Sequence, residues 1–279
     1  MRKIFGGSEP FVKKVLSKNR FLSGYIFLSD LHLSVERSLV LHRFLVSMED
    51  WISRGVEGIY ILGDLFDYWV GPRQEERWGL REVFRMFRRA VNGGVPVYFL
   101  YGNRDFLVGK FLETFCGVRC CGESLWVSVG GCRLYLTHGD GFSRSLSYLR
   151  VRSFLQHPFS IWVANHLIPG WAKGWLARRL RLNTPPPPRD IRPFLSFSSV
   201  FHQMGGASVA ICGHFHQARI FRMSTPTISK YLLTLGEWRP GPSYLFLSSQ
   251  EFQVVEQGEV LYVGEFPLSL ENGFWKGRD

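Results

Sequence analysis

The chain has 279 residues, of which 46% are hydrophobic and 20% are charged, so it is too apolar for a disordered protein and can bury a sizeable core. Lysine and arginine number 34 against 23 acidic residues, and this net charge of +11 favours an anionic partner. No apolar run approaches the roughly 20 residues that a helix needs to cross a bilayer, which excludes a helical membrane-spanning protein.

Residues 1–24 are predicted to form a basic N-terminal extension. They include six lysines and arginines but no apolar stretch of the kind found in a signal peptide. We therefore predict a cytoplasmic protein in which residues 25–279 form one large domain.

Strand and helix patterns alternate from residue 25 onward. The apolar run 25–28 predicts a strand, and Val40, Phe44 and Met48 recur at helical spacing before Gly55, which predicts a helix that ends there. Further strands are predicted at 58–62, 95–100, 132–136 and 207–211. Each of these strands runs directly into a polar turn. The alternation is typical of an α/β fold, in which ligands bind at the carboxyl ends of the strands.

Residues 141–206 interrupt this alternation and are predicted to form an inserted helical lid. Between residues 141 and 192 the sequence has nine lysines and arginines against the single acid Asp190, interleaved with bulky aromatic residues. An apolar face beside a basic face suits a lipid-phosphate site at a membrane surface. The alternative is that the aromatic residues only pack the lid onto the domain and the arginines form a solvated face.

The chain after His216 is rich in β-strand patterns. Short strands are predicted at 231–235, 243–247, 252–255 and 260–263. We predict that these strands form a meander that completes a second sheet.

The five cysteines are an odd number and contain no C-x-x-C pair, so no disulfide framework is expected. A soft-metal site built from Cys116, Cys120, Cys121 and Cys132 is one interpretation. The other is that they are small thiols buried in the core.

Seven side chains in the polar turns have the ligand types of a two-metal site. They are Asp30, His32, Asp64, Asn103, His138, His214 and His216. Carboxylate, amide oxygen and imidazole suit Mn²⁺ first, with Fe²⁺ or Zn²⁺ as alternatives. Asp30 and His32 are two residues apart on what we take to be an extended segment, so both can face one way, and the same holds for the pair at 214 and 216. With two ions about 3.5 to 4 Å apart, Asp64 can bridge them while a shared water becomes the nucleophile for phosphorus chemistry.

The order of these turns resembles that of the calcineurin-like metallophosphoesterases. The matching motifs are D-x-H at 30–32, G-D-x-x-D at 63–67, G-N-x-D at 102–105, H-G-D at 138–140 and G-H-x-H at 213–216. Within that family, the longer segments 29–33, 63–69, 102–106 and 235–238 are similar to those of the UDP-2,3-diacylglucosamine diphosphatases of lipid A synthesis. The resemblance covers roughly residues 25–238 and implies a two-sheet α/β/β/α sandwich with an inserted helical lid.

The resemblance also implies roles for individual residues. One metal ion would be held by Asp30, His32, Asp64 and His216, and the other by Asp64, Asn103, His138 and His214. We predict that Asp64, Asn103, Arg104 and His138 act in catalysis. The predicted substrate contacts are Asn103, Arg104 and His214 in the turns and Tyr148, Trp171, Trp175 and Arg178 in the lid. For Tyr148, packing inside the lid is an equally good explanation.

Arg104 stands where many relatives carry His. Arg cannot donate a proton to a leaving group, but it can hold a non-bridging phosphate oxygen. The alternative is that Arg104 only pairs with Asp105 or Asp67. Together with Asp140, these two acids are interpreted as residues that orient the ligating histidines or Arg104.

Three functions are compatible with the sequence. The first is a peripheral enzyme on the inner face of the inner membrane of a Gram-negative type of bacterium. As the resemblance implies, it would use two divalent ions to cleave UDP-2,3-diacylglucosamine to UMP and 2,3-diacylglucosamine 1-phosphate, and no nucleic acid is expected as a partner. The second keeps the ions but acts on nucleic acid or soluble nucleotides, which a net charge of +11 also suits. The third is a non-catalytic membrane-binding scaffold, and the presence of all seven candidate ligands argues against it. The sequence gives no prediction of oligomeric state.

Overall fold

The structure is a computed structural model that describes residues 23–34, 38–67, 69, 80–143, 169, 190–224 and 229–267. Within these residues, no helix is both long enough and apolar enough to cross a membrane. Most of the N-terminal extension and most of the lid lie outside the described residues.

The described residues form twelve strands and four α-helices. The strands are β1 (Tyr25–Leu28), β2 (Gly58–Leu62), β3 (Val97–Leu100), β4 (Arg119–Cys120), β5 (Ser124–Val129), β6 (Cys132–Thr137), β7 (Val209–Cys212), β8 (Arg219–Ser224), β9 (Ser229–Thr234), β10 (Tyr244–Leu247), β11 (Glu251–Glu256) and β12 (Glu259–Glu265). The helices are α1 (Ser38–Ser53), α2 (Arg81–Asn92), α3 (Gly109–Cys116) and α4 (Phe197–Gln203).

The strands are arranged in two mixed sheets. The first has seven strands in the order β12-β11-β10-β1-β2-β3-β4, and the second has five in the order β5-β6-β7-β9-β8. In the first sheet β1 to β4 are parallel, and in the second β6, β7 and β9 are parallel. The carboxyl ends of the parallel strands therefore lie at one edge of each sheet.

Three apolar clusters fill the spaces between layers. Phe44 of α1 and Phe87 of α2 belong to the cluster that packs the helices on the first sheet. A second cluster includes Leu62 of β2 and Leu136 of β6, and so lies between the two sheets. A third includes Val200 of α4 and covers the outer face of the second sheet. The α/β/β/α sandwich is therefore confirmed.

The predicted strands and the first helix are confirmed, but the predicted role of the C-terminal meander is wrong. Only β9 joins the second sheet, whereas β10, β11 and β12 extend the first sheet, where β10 pairs antiparallel with β1. The reason is visible in β10: its residues alternate between the helix-facing and the sheet-facing clusters, so this apolar run is buried on both faces.

The cysteines do not converge. Cys116 lies in the cluster beneath the helices, whereas Cys132 lies in the cluster between the sheets. Burial raises the pKa of Cys120 to about 12 and also raises that of Cys121. Among the described residues, no group of three or more side chains close enough to hold a metal ion includes a cysteine, which supports their interpretation as core residues rather than as ligands of one soft metal.

The two ends of the predicted lid meet at one point. Ser143 forms an antiparallel bridge with Leu195, and the backbone N–H of Ser196 donates to the Phe142 carbonyl at 2.8 Å. The described segments 141–143 and 190–196 thus lie side by side. Residues 144–168 and 170–189 lie outside the described residues, so the lid itself stays a prediction.

Candidate metal centre

The seven predicted ligands lie together at the carboxyl ends of the parallel strands. They are Asp30 and His32 after β1, Asp64 after β2, Asn103 after β3, His138 after β6, and His214 and His216 after β7. Four of them are buried and the other three are half-buried. The site therefore takes residues from both sheets, at the edge where their strands end.

Hydrogen bonds join the two sheets at this edge. His138 Nδ1 lies 2.8 Å from the Leu62 carbonyl oxygen, and the backbone N–H of His214 donates to Asp30 Oδ2 at 2.9 Å. A carbonyl can only accept, so His138 donates through Nδ1, and its Nε2 is turned towards the other ligands.

Two groups of side chains bring ligand atoms within 4.8 Å of one another: Asp30 with His32 and His216, and Asp30 with Asp64 and His138. His216 Nε2 lies 3.4 Å from Asp30 Oδ1. Asp64 also faces both groups, because its Oδ2 lies 3.8 Å from His32 Nδ1 and its Oδ1 lies 3.7 Å from His138 Nε2. Both carboxylates thus lie between the groups, whereas the resemblance implies that Asp64 alone is shared.

Asn103 and His214 lie beside the second group. Asn103 Oδ1 lies 3.0 Å from His138 Nε2, so it can accept the hydrogen bond that a protonated His138 donates. The His214 ring centre lies 5.2 Å from that of His138. The structure therefore brings all seven predicted ligands together, while their assignment as metal ligands stays a prediction.

Opposing charges set the protonation of the histidines. Burial alone would lower the pKa of His138, but the carboxylates of Asp64, Asp30 and Asp140 outweigh burial and raise this pKa to about 9. Burial, followed by the charge of His138, lowers the pKa of His214 to about 3. At neutral pH without metal, His138 is therefore charged and His214 is neutral. The proton on His138 supplies positive charge where a cation would otherwise do so.

The donor set fits divalent cations. Asp30 Oδ1 is buried and accepts no hydrogen bond from the described residues, although it faces the Nε2 atoms of His32 and His216. A buried carboxylate oxygen without a hydrogen bond is costly unless a cation compensates it. Imidazole nitrogens and carboxylate oxygens are ligands that ions such as Mn²⁺, Fe²⁺ and Zn²⁺ accept.

Five predicted ligands have a left-handed backbone. The φ angles are 55° at Asp30, 49° at His32, 51° at Asp64, 68° at His214 and 58° at His216. Elsewhere in the described residues, Gln257 alone among non-glycine residues has positive φ. The expectation of extended segments at 30–32 and 214–216 is therefore wrong, because left-handed turns rather than strand alternation bring these side chains to the site.

Two motif glycines allow the turns to approach each other. A Cβ at Gly102 would lie 2.3 Å from both the backbone nitrogen and Oδ1 of Asp64. A Cβ at Gly213 would lie 1.9 Å from Ser29 Oγ and 2.4 Å from Asp30 Oδ2. No side chain fits at these distances, so glycine is required at both positions.

The Asp105 carboxylate holds two of the turns together. Its oxygens accept hydrogen bonds from the backbone amides of Asp64, Leu65, Phe66 and Gly102, at 3.3, 2.7, 3.2 and 3.2 Å. Burial and then the charge of Asp64 raise the pKa of Asp105 to about 7, against the effect of the amides. Asp105 thus positions Asp64 through the backbone.

Arg104 lies directly beside Asp64. Its Nε is 3.2 Å from Asp64 Oδ2, and its Nη1 is 3.9 Å from Asp67 Oδ1. Of the two ion pairs in the alternative interpretation of Arg104, the one with Asp67 is present at 3.9 Å, and the guanidinium in addition reaches Asp64, a predicted metal ligand.

Sequence reasoning missed Glu237. This residue follows β9, which runs parallel to β7, so it reaches the same edge of the sheet. Its Oε2 lies 3.3 Å from His216 Nδ1. The sequence does contain a sign of this residue, because the strand predicted at 231–235 also ends in a polar turn.

The predicted lid contacts Tyr148, Trp171, Trp175 and Arg178 lie outside the described residues.

The two mixed sheets and the paired ligand groups define a dinuclear metal-dependent hydrolase of the phosphoesterase class. The model of the calcineurin-like phosphoesterase family matches residues 25–218, and the chain belongs to this family.

The chain is also similar to curated relatives over most of its length. A UDP-2,3-diacylglucosamine hydrolase from Pseudomonas putida (strain KT2440) is 30% identical over 239 residues, which are 82% of this chain and 97% of the relative. The protein of the same name from Pseudomonas aeruginosa (strain PAO1) is 32% identical over 76% of this chain and 90% of its own. The Vibrio atlanticus (strain LGP32) protein of that name is 29% identical over 82% and 95%. A solved dimetal phosphatase from Danio rerio aligns over 84% of this chain and 95% of its own at 13% identity, with a TM-score of 0.45.

Proposed function

We propose that this protein hydrolyses UDP-2,3-diacylglucosamine to UMP and 2,3-diacylglucosamine 1-phosphate in lipid A biosynthesis, with two Mn²⁺ ions. The observation that carries the proposal is the convergence of all seven candidate ligands at one edge of the fold, in a chain of which 82% aligns with a relative of that name.

The protein's own side chains divide between the two ions. One ion would be held by Asp30, His32, Asp64 and His216, and the other by Asp64, Asn103, His138 and His214. When bound, the ions supply charge neutralisation and an activated water. The Leu62 carbonyl keeps His138 Nε2 directed towards the site, and Asp105 keeps the Asp64 turn in place.

Arg104 would bind the substrate diphosphate. Its side chain is 10% exposed, so a charge-assisted hydrogen bond from it to a non-bridging oxygen is little weakened by water. Water attacks the α-phosphorus, its oxygen enters UMP, and the bond from that phosphorus to the bridging oxygen breaks. The leaving sugar phosphate is stable as an anion, so Arg104 need not donate a proton.

The lid would recognise the rest of the substrate. In this proposal Trp171 and Trp175 contact the acyl chains, and Tyr148 and Arg178 contact the polar part. The positive charge of residues 141–192 would attract the protein to the anionic inner face of the inner membrane.

The proposal is tested by measuring Mn²⁺-dependent release of UMP from UDP-2,3-diacylglucosamine in detergent. The Asp64→Ala variant should lose at least roughly 100-fold in rate, and Asp190→Ala, which removes an exposed carboxylate, should match the parent. UDP-N-acetylglucosamine and single-stranded DNA serve as competing substrates. Preferential cleavage of either one would retain the metal-dependent hydrolase and reject the lipid substrate, and full activity of Asp64→Ala would reject the two-metal site.

A further inference from the structure

His216 lies between two carboxylates, one at each ring nitrogen. Its Nε2 is 3.4 Å from Asp30 Oδ1, on the side of the other ligands, and its Nδ1 is 3.3 Å from Glu237 Oε2 on the far side. The second contact has the distance of an ion pair without the alignment of a full hydrogen bond. Glu237 is mostly buried, with 15% of its side chain exposed.

Arg239 holds Glu237 from the other direction. Its Nε and Nη2 atoms donate to Glu237 Oε2 at 3.1 and 2.7 Å. The oxygen that faces His216 is therefore the same oxygen that Arg239 binds. This contact restricts the rotation of the carboxylate and keeps Oε2 beside the imidazole.

The backbone around Glu237 is fixed against the metal site. The Glu237 carbonyl accepts a hydrogen bond from Ser243 Oγ at 2.7 Å. The next residue, Trp238, is fully buried, and its backbone N–H donates to the Asp30 carbonyl at 3.4 Å. The turn that carries Glu237 is thus tied to the turn that carries Asp30.

We propose that Glu237, held by Arg239, is the positioning residue for His216. A carboxylate at Nδ1 favours the tautomer with its proton on that atom, against the opposite effect of Asp30 at Nε2. Glu237 thereby helps to leave the Nε2 lone pair available to the metal and makes the imidazole a stronger ligand. His138 obtains the same orientation from the neutral carbonyl of Leu62. The two histidines therefore differ in the charge of the group that faces Nδ1. This inference rests on the metal site of the proposed function.

The effect is measured by titrating the full chain with Mn²⁺ alone. In Glu237→Ala, one of the two ions should bind roughly 10- to 100-fold more weakly while the other keeps its affinity, because His216 belongs to only one of the ligand groups. Glu237→Gln should retain more affinity than Glu237→Ala, since its amide oxygen can still face Nδ1. Arg239→Ala should fall between the parent and Glu237→Ala. Glu265→Ala removes the same charge at the exposed end of β12 and should match the parent.

The ring tautomer gives a second readout that needs neither metal nor substrate. Long-range ¹H–¹⁵N NMR, at a pH where His216 is neutral, should show a larger share of the Nδ1–H tautomer in the parent than in Glu237→Ala, where Asp30 alone favours a proton on Nε2. An unchanged tautomer overturns the inference, as does equal weakening of both ions. If the parent binds fewer than two ions, the proposed function fails, and the tautomer still decides the role of Glu237. If Glu237→Ala does not fold, the Gln and Arg239 variants decide it by the same measurements.

Discussion

Arg104 Nε lies 3.2 Å from Asp64 Oδ2, so the cation expected to bind phosphate already contacts the carboxylate expected to bind metal. A guanidinium can contact Asp64 and a phosphoryl oxygen at once, because its donors point in several directions. An ammonium is a compact point charge that does not reproduce this geometry.

Replacing Arg104 with Lys should therefore reduce kcat by roughly 100- to 1000-fold while two ions remain bound. Steady-state kinetics at saturating Mn²⁺, together with a metal count, check this expectation. A Lys variant as active as the parent would show that Arg104 only neutralises Asp64 and Asp67.

Metal affinity should rise with pH. The pKa of His138 is raised to about 9, so below that pH a metal must displace its proton, whereas His214, with its pKa lowered to about 3, has no proton to displace at neutral pH. The apparent dissociation constant of the ion at His138 should rise by about tenfold for each pH unit below 9. Calorimetry at pH 6.5, 7.5 and 8.5, in buffers of different ionisation enthalpy, measures both affinity and proton release. An affinity independent of pH, with no proton released, would contradict this assignment.

Asp105→Asn should destabilise the protein although the two side chains have nearly the same volume and shape. Each carboxylate oxygen accepts two backbone amides, and the amide group of Asn would point its own N–H bonds at two of those donors. We expect the free energy of unfolding to fall by about 2 to 4 kcal/mol, measured by urea denaturation. The exposed change Asp190→Asn is the control. A loss below about 0.5 kcal/mol, the usual effect of a surface substitution, would mean that these amides do not depend on Asp105.

The lid prediction concerns substrate preference rather than chemistry. Trp171→Ala or Trp175→Ala should lower kcat/KM for the long-chain substrate by roughly 5- to 30-fold, the effect of losing 1 to 2 kcal/mol of apolar contact, with little change for a deacylated substrate. Trp126→Ala, which removes a partly exposed indole on β5, is the matched control. If the lid variants treat both substrates as the parent does, these tryptophans do not contact acyl chains.

The sequence predicts the site well where residues of metal-ligand type directly follow predicted parallel strands. The ligand types after 25–28, 58–62 and 95–100 could be grouped because the ends of parallel strands meet at one edge. Glu237 also follows a predicted strand, 231–235, but the residue pattern does not show that this strand pairs in parallel with the strand before His214.

Other features depend on information that a residue pattern does not carry. The pattern of β10 shows burial on both faces, but its partner, β1, lies far away in the sequence. The φ angles at Asp30 and His32 are imposed by neighbouring turns, because isolated Asp and His residues prefer other conformations.

The left-handed backbone at five ligand positions means that residues selected for function lower the stability of the protein. A non-glycine residue in this conformation costs roughly 1 to 2 kcal/mol, somewhat less for Asp, so the surrounding fold keeps these residues where their own preferences would not. Selection for hydrolysis is what retains Asp and His there. In a descendant that no longer hydrolyses its substrate, drift to glycine or asparagine at these positions would raise stability, and such a change in a related sequence would identify a lineage that has lost the activity.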